Sequence, residues 1–472
     1  MHETNLYTKL IEYGKGAAYP FHMPGHKRQM MTMEDPYRFD LTEIDGFDNL
    51  HDAEDILQWE QERAARLYES SETHFMVYGS TGGILAAIDG VTKRGDRVLV
   101  ARNCHKSVYH ALELNGLRPG YLWPELNETL GIYKGLERQA VEAYLEQYPD
   151  IRAVILTSPT YEGLLSDVKG ICEAAHERGI PCIVDEAHGA HLRWIGIDDA
   201  VSSGADVVIQ SLHKTMPALT QTALLHVNGT IVDRERIRKM LAVYQTSSPS
   251  YVLMASISLC MSWLEREGKA AFAAYADRIR QFRERMADLK NLYIYQDEHV
   301  FDWGKLGIST DRTSIHGRQL YDWLRDDAKL QMEMVSAEYV LAMSTVGDSQ
   351  EGLDRLEKAL RKMDETLENR SEQKKILADR ISAPKRQLEN WETLYWQTEC
   401  VPLEQAEGRC SSDYLYLYPP GIPILVPGEV FGREQIEQIQ FFLSQGLDVH
   451  GGYIKESGDV KVILHHGEKG IG

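Results

Sequence analysis

IPCIVDEAHGAHLRWIGIDDAVSSGADVVIQSLHKTMPALTQTALLHV, residues 180–227, reads as three strands joined by short connections. The first, Pro181–Asp185, ends on two carboxylates, Asp185 and Glu186. The second, Asp206–Gln210, ends on Ser211-Leu212-His213-Lys214, and Thr222–Val227 is the third. Apolar runs this short, broken by Gly and polar clusters, fit strands buried on both faces of a parallel or mixed sheet. In such sheets the chemistry sits just past the carboxyl ends of the strands. Asp185, His188 and Lys214 are therefore expected around one crevice.

A lysine after one buried strand, facing an aspartate after another, suggests a pyridoxal phosphate site. The lysine would form the Schiff base, and the aspartate would hold the pyridine nitrogen protonated. A surface lysine and a helix-capping aspartate are the bland alternative. The Ser-x-His-Lys sequence and the strand spacing outweigh it. Asp185-Glu186-Ala187-His188 also spells a helicase motif, but no Gly-x-x-x-x-Gly-Lys-[Ser/Thr] precedes it. His188 and His191 have the spacing of a zinc pair, with no evident third ligand, so no metal is expected.

Upstream, Thr73–Tyr78 reads as a strand, and Gly79-Ser80-Thr81-Gly82-Gly83 opens a helix through Ile88. Strand, Gly/Ser/Thr turn and helix N-terminus make an anion cradle of free amides and helix dipole. Arg97–Ala101 is a strand ending on Arg102-Asn103-Cys104-His105-Lys106-Ser107, where His105 is the candidate to stack on a pyridine ring. Ala153–Thr157 is another strand, ending on Ser158-Pro159-Thr160-Tyr161. Strands alternating with helices from 73 to 227 define an α/β domain with a largely parallel sheet.

The flanks are less regular. Phe21-His22-Met23-Pro24-Gly25-His26-Lys27 is either a solvated turn or a lining for an anionic cofactor. Asp40–Asp55 carries seven carboxylates in sixteen residues and reads as a solvated acidic loop. A long helix from about 252 to 289 suits a spine between domains, and short strands at 292–294, 307–309, 331–335 and 341–344 suggest a smaller α/β unit. Ser382-Ala383-Pro384 marks a boundary, and the dense Pro and Gly of 414–429 exclude a regular element across that stretch. The expected organisation is an N-terminal arm (1–30), a cofactor-binding domain (31–250), a small domain with its long helix (251–383) and a C-terminal domain (384–472).

Composition narrows the class. No apolar run in the chain approaches the roughly 18 residues of a membrane span, and the N-terminus shows no signal or transit pattern, so a cytoplasmic location is expected. Cys104, Cys172, Cys182, Cys260, Cys400 and Cys410 contain no Cys-x-x-Cys, which disfavours a disulfide framework or zinc ribbon. A net charge of −20 disfavours nucleic acid and anionic membranes as partners.

FHMPGHK, the Gly-Ser-Thr-Gly-Gly turn, Arg-Asn-Cys-His-Lys-Ser, Ser-Pro-Thr-Tyr, Asp-Glu-Ala-His-Gly-Ala-His, Ser-Leu-His-Lys and the C-terminal PPGIPILVPGE occur in that order. Together they resemble the ornithine/lysine/arginine decarboxylase family of fold-type I pyridoxal phosphate enzymes, and chain length resembles its short, Gram-positive-type branch. The resemblance implies an aspartate aminotransferase-like α/β fold and a homodimer with interfacial active sites. It implies Lys214 as Schiff-base lysine, Asp185 on the ring nitrogen, His105 stacked on the ring and His188 near the cofactor oxygen. Ser80, Thr81 and Gly82 would hold the phosphate, with Ser211 and His213 adding contacts and Ser247 or Ser248 reaching the partner's phosphate. His213 or Lys214 would return a proton to the substrate. A carboxylate must hold the distal cation of a basic amino acid. Glu429 is the first candidate, and Asp45 and Asp48, supplied from the partner, are the second. Arginine is the first expected substrate, with lysine or ornithine next. An aminotransferase and a non-catalytic paralogue are the alternatives outside the class.

Overall fold

The structure, a computed structural model, describes residues 5–127, 130–297, 299–368, 383–419 and 421–464. Ser382 of the expected boundary and Pro420 lie outside these residues. At its centre is a sheet of seven strands: β1 (Glu72–Met76), β2 (Arg97–Ala101), β3 (Arg118–Leu122), β4 (Ile151–Thr157), β5 (Cys182–Asp185), β6 (Val207–Ser211) and β7 (Ala223–Val227). The spatial order is β1-β7-β6-β5-β4-β2-β3. From β6 to β3 the pairing is parallel, and β7 runs antiparallel to both β6 and β1. Every residue of β5, β6 and β7 is buried, as continuous apolar runs covered on both faces require.

This order has one consequence for function. The carboxyl ends of β1, β2, β4, β5 and β6 and the amino end of β7 lie on the same rim. The residues that follow Met76, Ala101, Thr157, Asp185 and Ser211 therefore converge, although they span about a third of the chain.

The helix Gly79–Val91 packs directly on this sheet: a Cβ at Gly83 would stand 3.0 Å from Ile209 Cγ2. On the opposite face the core continues into a second unit. The long helix is interrupted: Tyr251–Trp263 passes through a wider turn, Leu264–Gly268, into Lys269–Met286. The second sheet comprises β8 (Tyr293–Ile294), β9 (Lys305–Ser309), β10 (Met334–Val335) and β11 (Tyr339–Met343) in the order β8-β9-β11-β10. Residues 331–335 do not form one strand. Leu330–Met332 instead pairs in parallel with Tyr19–Phe21, tying the N-terminal arm to this unit, and Glu333 stands at the break before β10.

The C-terminal segment has its own core of Leu403, Leu415, Leu425, Phe431, Ile439 and Val460. Regular structure does occur within 414–429: Leu415–Leu417 and Pro423–Leu425 pair antiparallel. Their strands are three residues long, which is how so many prolines and glycines are accommodated. All six cysteines are free thiols, five of them buried. No helix among the described residues is long and apolar enough to cross a membrane.

Candidate active site

The convergent rim encloses a cavity of about 500 Å³. Ser80, Thr81, His105, Asp185, His188, His213 and Lys214 line it together. With Thr157 and Tyr161 from the end of β4, it assembles residues from five strand ends. Gly79 adopts φ +66°, the left-handed turn that Gly alone adopts without strain, and its amide bonds the Gln221 carbonyl at 2.9 Å. The cradle is shifted by one residue from expectation. Gly79, Ser80 and Thr81 face the cavity, whereas the Gly82 amide turns back to the Tyr78 carbonyl at 3.3 Å. Among the described residues the Ser80 and Thr81 amides have no partner, as the first turn of a helix leaves them.

Lys214 sits in the short helix Leu212–Thr215, directly after β6. Its Nζ is 3.0 Å from His188 Nε2. Burial lowers the lysine's pKa, while Asp185 and Glu333 act in the opposite direction. Asp185 is 3% exposed, and its Oδ1 accepts the Ala187 amide at 3.1 Å. Burial raises this carboxyl, and Lys214 only partly offsets that. A buried carboxylate with one neutral hydrogen bond is suited to a cationic N–H brought in from outside.

His105 caps the helix Lys106–Leu114 and accepts from the Ser107 amide through Nδ1. Burial, then Lys214 and Lys106, push its pKa down to about 3, so the ring is neutral. The C-terminal segment closes over this corner: the Lys106 amide bonds the Gly421 carbonyl at 3.1 Å. His213 places Nδ1 3.0 Å from the Thr222 carbonyl, which fixes the Nδ1–H tautomer and leaves Nε2 as a base. Burial pushes its pKa down to about 4.

The residues fit pyridoxal phosphate on three counts. A helix N-terminus with free amides and hydroxyls suits its phosphate. An under-bonded buried carboxylate suits its ring nitrogen, and a lysine suits its aldehyde. Asn103 Oδ1 and Thr157 Oγ1, both on the wall, are buried without a partner.

Several expected site residues lie outside this chain's own cavity. Glu429 does not line the cavity. It is 2% exposed, and its Oε2 accepts from Arg102 Nη2 at 2.9 Å and from the Val426 amide at 3.0 Å. Burial opposes the Arg102 charge, but Glu429 beside it holds that pKa above its ordinary value. The pair, with Arg102 Nη1 on the Pro423 carbonyl at 2.7 Å, clamps the C-terminal segment to the end of β2. Glu429→Gln is therefore expected to lower unfolding free energy by about 1.5–3 kcal/mol, the worth of a charge-assisted hydrogen bond, and to leave KM unchanged. Denaturant melts and steady-state kinetics check this, and a KM raised tenfold at constant stability would return Glu429 to the substrate.

Asp48 is a loop organiser: its carboxylate accepts the amides of Asn49, Glu54, Asp55 and Leu57. Asp45, Ser247 and Ser248 are exposed and outside this chain's cavity. Ser211 Oγ is buried without a partner and off the lining. His188 and His191 do not form a metal pair, because His188 lies against Lys214 while His191 Nε2 bonds Asp302 at 3.2 Å. Nor does the FHMPGHK loop offer Lys27 to an anion. Lys27 is 1% exposed and donates to the carbonyls of His22 and Met343. The loop instead braces the Lys214 turn: the Gly25 amide bonds the His213 carbonyl at 2.7 Å, and a Cβ at Gly25 would stand 2.8 Å from Met216 O.

The cavity wall, and Lys305 behind it, include residues without a role in the sequence reading. Tyr161 packs its ring 4.5 Å from that of His188 and donates to Glu333. Glu333 is, with Asp185, one of the acids on the wall, and its Oε2 accepts the Met23 amide at 2.8 Å. Lys305, at the start of β9, is 2% exposed and reaches His188 Nδ1 at 2.9 Å. Tyr161 was signalled by its place just past a strand end, but no local pattern marks Glu333 or Lys305.

Known proteins resemble this chain in sequence and in fold. Residues 4–322 match the family profile described as Orn/Lys/Arg decarboxylase, major domain, and residues 377–455 match its C-terminal domain. The chain is 32% identical to the arginine decarboxylase of Bacillus subtilis, over 95% of this chain and 96% of that protein. It is 24% identical to the constitutive lysine decarboxylase of Escherichia coli, over 85% of this chain and 71% of that one. In structure it resembles the lysine decarboxylase of Francisella novicida, with a TM-score of 0.77 at 18% identity, covering 97% of this chain and 80% of the other. More distantly it resembles an alanine–glyoxylate aminotransferase from Nostoc, with a TM-score of 0.53 at 12% identity, covering 70% of this chain and 99% of that one. The expected α/β class with its mainly parallel sheet holds. With its major-domain match spanning most of the chain and its full-length likeness to a Bacillus arginine decarboxylase, this chain belongs to the Orn/Lys/Arg decarboxylase family.

Proposed function

We propose that the protein is a pyridoxal phosphate-dependent decarboxylase of a basic amino acid, with L-arginine as substrate and agmatine and CO₂ as products. The observation that carries this is the meeting of Lys214, Asp185 and His105 from three separate strand ends beside the Gly79–Thr81 helix start, in one cavity. Full-length similarity to curated arginine decarboxylases supports arginine over lysine or ornithine. When bound, pyridoxal phosphate supplies an electron-withdrawing ring that takes up the bonding electrons as CO₂ departs.

The chain's own residues do the rest. Lys214 Nζ would hold the aldehyde, Asp185 would keep a proton on the ring nitrogen, and His105 would cover one ring face. Ser80 and Thr81 would bind the phosphate. Lys214 Nζ would hand a proton to the substrate's Cα, and His213 Nε2 would do so only after taking up a proton itself. Glu333 gives that wall its second negative charge, which favours a cationic substrate.

The proposal includes a homodimer. Exposed Leu6, Tyr7 and Leu10 on the N-terminal helix Leu6–Lys15 supply an apolar contact face. Exposed Ser247 and Ser248 are available to a partner's phosphate site, and exposed Asp45 to its substrate. A cytoplasmic location accords with six free thiols. The test is a product assay over arginine, lysine and ornithine with added cofactor. Agmatine and CO₂ from arginine are expected, with turnover of the other two at least about tenfold lower. Keto-acid formation without CO₂ would make the protein an aminotransferase, and a preference for lysine or ornithine would reassign the substrate.

A further inference from the structure

Lys305 enters the site from the small domain, and the bonds of His188 constrain its charge. The His188 ring lies between two lysines, with Nδ1 2.9 Å from Lys305 Nζ and Nε2 3.0 Å from Lys214 Nζ. A neutral imidazole has one N–H and one lone pair, and an ammonium has only donors. Two ammonium groups cannot both bond one imidazole, so at least one of these lysines is a neutral amine.

The surrounding charges decide which. Lys305 faces Asp302 on its own loop, Glu162 after β4, and Glu333 before β10. Asp302 is anchored by His191 Nε2 at 3.2 Å and by the Gly304 amide at 2.9 Å. Tyr161 borders the same space and is held by Glu333. Lys214 faces Asp185 and Glu333, with the neutral rings of His105 and His213 nearby. Lys214 thus has two acids about it where Lys305 has three. The chain also makes room for Lys305: Gly163 adopts φ +98°, and a Cβ there would stand 2.7 Å from Lys305 Cγ.

We infer that Lys305 is a positioning residue that holds the positive charge of a Lys305–His188–Lys214 relay and so keeps Lys214 Nζ neutral and nucleophilic. Its use in catalysis rests on the decarboxylase reading. Lys305 donates to Nδ1, which places the ring proton on Nε2, and Nε2–H donates to the Lys214 lone pair. Burial lowers both lysines, which eases the loss of one proton from the pair. A neutral Nζ can attack an aldehyde carbon with its lone pair. A C=N bond then forms, and the carbonyl oxygen leaves as water with the two amine protons. Without Lys305, His188 can carry its proton on Nδ1, and Nε2 then holds Lys214 as an ammonium beside Asp185.

Pulsed labelling of the full-length, cofactor-free protein with limiting acetic anhydride tests this, read by mass spectrometry from about pH 6 to about pH 10. Lys214 is expected to label with a midpoint at least about one pH unit below that of Lys305. Lys305→Met should move the Lys214 midpoint up by about one unit or more, slowing its labelling about tenfold at neutral pH. Lys305→Arg, which keeps the charge and the donor, should restore it. An unchanged Lys214 midpoint in Lys305→Met, or Lys305 labelling before Lys214, overturns the inference. If Lys305→Met does not fold by circular dichroism, the order in the unaltered protein decides alone. Failure of pyridoxal phosphate to bond Lys214 would instead count against the decarboxylase reading, because the labelling needs no cofactor.

Discussion

Lys214→Ala is expected to abolish decarboxylation, with turnover falling at least about 10³-fold, while the protein stays folded and still takes up the cofactor's phosphate. Lys214 is the lysine on the cavity wall that directly follows the central strand β6, and its Nζ is within 3.0 Å of a neutral ring that orients it. The loss should be so large because two roles go together, the covalent anchor and a base placed to return a proton. Folding should survive because the helix Leu212–Thr215 is fastened by other contacts. Leu212 and Thr215 are buried, and the His213 carbonyl receives the Gly25 amide. The loaded unaltered protein should show a visible absorbance band that borohydride bleaches, with the label on the peptide containing Lys214. A label elsewhere, or turnover surviving in Lys214→Ala, would move the anchor to another lysine.

The second large effect belongs to Asp185. Asp185→Asn and Asp185→Ala should retain cofactor and lose about 10²–10³-fold in turnover, because a buried charge aimed at the reacting system is removed from a water-poor site. The same substitutions should have an opposite effect on the cofactor-free chain. Burial raises this carboxyl above its unfolded value. An acid whose folded pKa is raised costs stability above its unfolded pKa, and the cost disappears as pH falls below that value. Asp185→Asn is therefore expected to melt no lower than the unaltered apo protein at neutral pH, with any gain shrinking as pH drops through the carboxylate range. Near-normal turnover, or a marked loss of apo stability at neutral pH, would show that Asp185 is a structural residue.

The sequence and the structure agree where the chemistry is written into consecutive residues. β5, β6 and β7 fall within a residue of their expected starts and ends, because their side chains are apolar without alternation and a turn-forming cluster limits each run. His105, Asp185, His188 and Lys214 each lie within four residues of a strand end, and parallel strands bring such ends to one rim. Agreement fails for the carboxylates. Glu429 sits in a Pro/Gly-stiffened loop that suits a binding residue, and nothing near it in the chain announces Arg102, 327 positions away, as its partner. Asp48 lies in a run of acids that reads as solvated, yet it gathers four backbone amides, which only the path of its own loop reveals.

By itself, then, the sequence determined the α/β class, the family, and that Lys214, Asp185 and His105 follow strand ends which meet at one cavity. Each depends on residue type and short-range spacing, and those are local properties. The tertiary structure alone decided which acids face the cavity, that Gly25 of the FHMPGHK loop braces the Lys214 turn while Lys27 is turned inward, and that a second lysine shares His188. Glu333 and Lys305 come from the second sheet and its flanks, 119 and 91 positions beyond Lys214, and approach it only because that sheet packs its strand ends against the rim of the large one. In that water-poor space a carboxylate or an ammonium must find a partner, and which partners are near is a property of packing that spacing along the chain does not encode.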